Sequence, residues 1–133
     1  MASELRVNTL KDAAGNNSIA TSFVANGSAK AWLNYSGSGT TFRDSFNMAS
    51  AIDNGTGDYT HAFTSNMGNV NYAIGTYAAS SQTSTDLANR ITGGSIKAAA
   101  SHRQRYGYIN ATNGGIAAYD AVAADILFNG DLA

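Results

Sequence analysis

Along most of the chain, apolar and polar side chains alternate one by one, which is the period of a strand and not of a helix. Ala31, Leu33 and Tyr35 fall on one face and Lys30, Trp32 and Asn34 on the other, until Ser36-Gly37-Ser38-Gly39 stops the run. Phe42, Phe46 and Met48 then share a face with Asp44 among them, and the strand ends near Asp53-Asn54-Gly55. Tyr59, His61 and Phe63 alternate with Thr60, Ala62 and Thr64. The glycine-rich connection from Asp53 to Asp58 has hairpin length, so these two strands are expected to pair antiparallel.

Val70 to Tyr77 predicts a further strand, and Ala78 to Asn89 a polar loop. Ile96 to Ile109 is the longest alternating region, with His102, Gln104, Tyr106 and Tyr108 on one side and Arg103 and Arg105 on the other; Asn110 to Gly115 closes it. Ala117 to Leu127 is alanine-rich, yet Val122, Ala124, Ile126 and Phe128 recur at every second position, which predicts a strand. No long segment keeps a helical period. Several strands at short spacing indicate an all-β fold, an antiparallel β-sandwich. The opening stretch, with Leu5, Val7 and Leu10 before a polar turn at Asp12 to Ser18, carries too few apolar groups to order itself and is expected to pack on its counterparts in sister chains. The domain expectation is therefore an extended trimerising segment over 1–28 and a sandwich over 29–133.

The chain of 133 residues has room for one domain. Hydrophobic residues reach 44%, but many are alanine, so the core is thin and association would supply the missing apolar burial. Only 13% of residues are charged and the formal net charge is -1, which removes the electrostatic case for nucleic acid or another polyanion. Cysteine and proline are absent, so neither disulfides nor prolyl isomers enter. No run is apolar and long enough to span a bilayer, and no membrane insertion is expected.

The segment Ala29-Lys30-Ala31-Trp32-Leu33-Asn34-Tyr35-Ser36-Gly37-Ser38-Gly39, followed by Arg43 to Ser50 and by Asp53-Asn54-Gly55-Thr56-Gly57-Asp58-Tyr59-Thr60, resembles the C-terminal domain of tail-fibre proteins of marine and other tailed phages. Phe63-Thr64-Ser65-Asn66-Met67 and Asn71-Tyr72-Ala73-Ile74 continue that order, and Ser3 to Lys11 is similar to the sequence at which such fibres trimerise. The resemblance implies a homotrimeric fibre tip in the virion, made in the host cytoplasm, that attaches without catalysis to a host-surface glycan or outer-membrane protein. The alternative is a structural virion protein, a fibre connector or capsid decoration, with no receptor. The pattern departs from the family over Ser81 to Gly115, which is where the receptor contact is expected.

The candidate receptor residues are Tyr77, His102, Arg103, Arg105, Tyr106, Tyr108 and Asn113; a solvated strand face with snorkelling arginines is the plainer account of the same pattern. Trp32, with Leu5, Val7 and Leu10, is assigned to the trimer interface, the commoner use of a large aromatic, with a binding platform as the other use. His61 and His102 are the only histidines. Three copies around an axis could hold a metal, but lone strand histidines are mostly packed, and neither metal nor cofactor is expected. The Asp53 to Asp58 loop lacks EF-hand spacing. Neither G-x-S-x-G nor H-E-x-x-H occurs, so no enzyme is expected.

Overall fold

A computed structural model describes residues 6–36, 40–79, 90–109 and 114–133. Among the described residues the chain is all-β with antiparallel sheets, plus one short helix. Strands β1 (Thr9–Lys11) and β2 (Ser18–Ala20) form a hairpin, and α1 (Thr21–Gly27) follows. The Asp12 carboxylate ties the hairpin turn, accepting from the Asn16 and Asn17 amides and from Asn17 Nδ2 at 2.7 Å. The expected extended piece and turn are present, but α1 was not anticipated. It buries no residue and leaves Phe23 exposed, so it lacks the apolar stripe from which a helix is read.

The remaining strands are β3 (Ala31–Tyr35), β4 (Phe42–Phe46), β5 (Met48–Gly55), β6 (Asp58–Phe63), β7 (Ala73–Ala79), β8 (Arg90–Lys97), β9 (Ser101–Ile109), β10 (Ile116–Ala118) and β11 (Ala123–Asn129). One sheet runs β4-β3-β11-β7. The other runs β10-β9-β6-β5, with β8 also on β9. Strands β6 and β10 pair with successive stretches of β9, so the β5–β6 turn abuts β10. The antiparallel β5–β6 pairing matches expectation, and β11 is a central strand, as its alternation requires.

Two expected strands divide. The run from Phe42 to Asp53 breaks at Asn47, which adopts φ 57° and sends the chain from the first sheet into the second. Its side chain fixes the corner: Nδ2 donates to the Lys30 and Ser65 carbonyls, and Oδ1 accepts from the Ser65 amide at 2.6 Å. A register shift between β3 and β4 also turns Phe46 outward beside Trp32, while Phe42 stays on the core side with Tyr35. Likewise, the alternation from Ile96 to Ile109 spans a turn between β8 and β9.

Inward side chains of both sheets meet in one core. Ala31, Leu33 and Tyr35 from β3 and Ala124, Ile126 and Phe128 from β11 face Tyr59, Phe63 and Tyr106. Rings interlock edge to face, Tyr35 on Tyr59 with centroids 5.1 Å apart and Phe63 on Phe128 at 5.1 Å. These aromatics supply volume that the alanine-rich composition lacks.

Candidate functional site

The β5–β6 turn is shaped by Gly57, which has φ +66°. A Cβ there would lie 2.5 Å from the Tyr106 carbonyl oxygen and 2.7 Å from that of Tyr119, so only glycine lets the turn approach this closely. The turn is anchored by the Gly57 amide donating to Asp120 Oδ1 at 2.8 Å and the Tyr106 amide donating to the Gly57 carbonyl at 2.7 Å. Tyr59 Oη donates to the same Asp120 oxygen at 2.5 Å; burial and that bond together raise the phenol's pKa.

Anchoring the turn brings Asp58 opposite Arg105 in register and diagonal to Arg103. Arg103 grips the carboxylate with both arms, Nε to Oδ1 at 2.7 Å and Nη2 to Oδ2 at 2.8 Å, and Arg105 Nε adds a third bond to Oδ2 at 2.9 Å. The Arg103 hydrogen bonds lead in holding the Asp58 carboxyl below its ordinary range, with Arg105 second; Asp58 in turn raises Arg103. Two cations share this one carboxylate, while the Asp53 and Asp120 carboxylates accept from the Gly55 and Gly57 amides of the same turn at 2.8 Å each. Beside it lies a cleft of about 490 Å³, with Gly55, Gly57, Gly93 and Gly107 among its lining residues, bounded by Asn54, Thr56, Arg105 and Ile116.

The first sheet presents a different outward surface. Phe46, Trp32, Leu127 and Gly75 stand in one cross-strand row, with Asp44, Asn34, Asp125 and Tyr77 in the next. Phe46, Leu127 and Tyr77 are exposed and Trp32 is half-buried. Asn34 Nδ2 donates to Asp125 Oδ1 at 2.5 Å. A groove of about 480 Å³ runs past Trp32, Asn34, Gly75, Tyr77 and Asp125.

The expected receptor residues are thus dispersed. Arg103 and Arg105 come together at Asp58, with Arg105 alone of the two lining the cleft, and Tyr77 is on the opposite sheet in the groove that Trp32 lines. His102 and Tyr106 are corrected: both face the core, at 0% and 2% exposure, and cannot meet a surface partner while the fold is intact. They belong to the same strand as the arginines but to its other face. Tyr108 is half-buried, its ring 6.2 Å from that of Tyr119. Asn113 and Leu5 lie outside the described residues. Val7 and Leu10 are exposed on or beside the N-terminal hairpin. Within the expected contact range of Ser81 to Gly115, β9 is a strand of the second sheet whose outward face carries the two arginines, and 81–89 and 110–113 lie outside the described residues. Asp58 was missed as a site residue. Its signal was a carboxylate at a hairpin end, which a sequence shows as turn chemistry, whereas its pairing with Arg103 spans 45 positions.

His61 and His102 form a second cluster. They are register partners on β6 and β9, stacked with centroids 6.4 Å apart and planes 20° from parallel, and neither is exposed. None of their four ring nitrogens has a hydrogen-bond partner among the described residues. Burial leads in pulling both down to about 4, His102 adding to the effect on His61 and Lys97 to that on His102. Both imidazoles are therefore neutral near pH 7.

No helix among the described residues is long and apolar enough to cross a membrane. No protein-family model, curated protein or solved structure matches the chain.

Proposed function

We propose that the chain is the receptor-binding tip of a tailed-phage fibre, a β-sandwich that works as a homotrimer in the virion and attaches it to the host surface without catalysis. The observation that carries the reading is the division of outward surfaces. An apolar row of Phe46, Trp32 and Leu127 stands on one sheet, and a glycine-lined cleft with an exposed arginine at its wall stands on the other. Apolar surface of that kind gains free energy when covered, at roughly 25 cal/mol per Å², and sister subunits provide the cover. The cleft remains open to a host-surface glycan or outer-membrane protein. The sequence resemblance over the first eighty residues points the same way.

Two measurements test it. Light scattering at micromolar concentration is expected to return three times the chain mass, and Trp32→Ala or Phe46→Ser to shift the protein towards monomer. Labelled protein is expected to adhere to particular bacterial cells. A strict monomer defeats the trimer, and a trimer that adheres to no susceptible cell favours a structural virion component.

A further inference from the structure

The cleft at Arg105 combines one exposed cation with a glycine-lined, largely apolar floor. Arg103 satisfies both oxygens of Asp58, whereas Arg105 reaches Asp58 only through Nε. Both Nη groups of Arg105 are without a partner among the described residues, on a side chain 63% exposed at the cleft wall. Its stem is therefore pinned while its planar fork is free, the arrangement that recognises a carboxylate through two parallel hydrogen bonds. The pinning also lowers the ordering cost of binding, since Nε is already held.

The remainder of the cleft selects what carries that carboxylate. A surface lined by glycines Gly55, Gly93 and Gly107 admits a flat, thick ring without displacing side chains. Ile116, 72% exposed, offers an apolar wall for ring C–H groups. Asn54 donates through Nδ2 to Thr60 Oγ1 at 2.9 Å, which leaves its carbonyl oxygen as an acceptor for a hydroxyl. A dianionic phosphate fits less well: Asp58 stands at 2.9 Å from the Arg105 Nε, and the Asp120 carboxylate holds the neighbouring Gly57 amide.

We propose that this cleft binds a hexose bearing a carboxylate, of the uronic-acid type, with Arg105 as the specificity-determining residue. The inference rests on the receptor-binding reading and names the chemical class of that receptor. A single acidic sugar residue is compatible with the low overall charge, because the recognition is local.

The test compares methyl glucuronide and methyl galacturonide with methyl glucoside and methyl galactoside, matched pairs that differ only at the carboxylate. Binding to the full chain is followed by amide shifts in NMR titrations. At least one uronide is expected to bind about tenfold more tightly than its neutral partner, to move the Gly57, Gly107 and Ile116 amides, and to weaken with added salt. Arg105→Gln is expected to erase the preference with spectral dispersion retained, and Arg105→Lys to recover only part of it, since a lysine keeps the charge but not the fork. Absence of a preference in the wild-type protein, or its survival in Arg105→Gln, overturns the proposal. Whole-cell adhesion separates the two levels: adhesion with no uronide preference refutes the ligand class alone, and absence of adhesion refutes the receptor-binding reading while the purified-protein preference stands by itself.

Discussion

Lowering the pH from about 7 to about 5 asks the buried His61–His102 pair to take up protons where nothing receives them. Each imidazole sits near 4 in the fold against an ordinary 6.5. The groups facing the pair are rings: Tyr35 on β3, 5.2 Å from His61, Phe42 on β4, and Phe128 on β11, 5.2 Å from His102. The nearest charge is the Lys97 ammonium on β8, which is of the wrong sign and is occupied with the Tyr72 carbonyl at 2.7 Å. No carboxylate among the described residues offsets protonation.

The direction follows from the depressed pKa of a base. The unfolded chain binds protons more readily than the folded one, so the contribution to stability is present above about 6.5 and is lost as pH falls towards 4. Between pH 7 and 5 the loss is about 2 kcal/mol for each histidine and about 4 kcal/mol for the pair, with the two titrating as a coupled unit. Against a total of roughly 5–15 kcal/mol, that is a large fraction. Urea unfolding at fixed protein concentration, repeated across this range, measures it. The double variant His61→Phe/His102→Phe is expected to flatten the profile between pH 7 and 5. If its profile is as steep as that of the wild-type protein, the buried pair is not the origin of acid sensitivity.

Three further substitutions probe the positions that shape the chain. Gly57→Ala meets two carbonyl oxygens inside van der Waals distance and a left-handed φ, so it is expected to cost about 3 kcal/mol in thermal or urea unfolding. Asn47→Ala removes three hydrogen bonds from a corner at φ 57° and is expected to cost about 2 kcal/mol, with Asn47→Gly costing less because the backbone strain is relieved. Asp120→Asn keeps the shape but removes the charge on which the Gly57 amide and Tyr59 hydroxyl converge, and is expected to cost about 1 kcal/mol.

Strands whose apolar residues keep strict alternation were legible in the sequence: β3, β6 and β11 bury the residues that a period of two selects. The departures have local causes that a binary pattern does not encode. Asn47 is polar in a polar position, and only its left-handed backbone reveals that the chain changes sheets there. Phe46 reads as a core residue, yet the register shift opposite Asn34 and Tyr35 turns it outward. At the site, the arginines were legible as an outward pair on β9, but grouping them with His102 and Tyr106 merged two faces of one strand. Asp58 needed the hairpin to close before it met them.

That separation of faces gives the molecule two acid responses with different physical characters. The Asp58 carboxyl is held below its ordinary 3.8 by Arg103 and Arg105, so the cleft retains its ion pairs between pH 7 and 5 while the core is losing stability. The loss between pH 7 and 5 then arises in the buried core, where screening by mobile ions is weak, and not among surface charges. Raising salt from about 0.05 M to about 0.5 M, which shortens the screening length several-fold, is expected to leave that loss unchanged within about 0.5 kcal/mol. Uronide binding at the cleft is expected to weaken over the same salt range, since its fork is exposed. If salt instead abolishes most of the acid destabilisation, surface electrostatics and not the buried imidazoles set the stability of this fold.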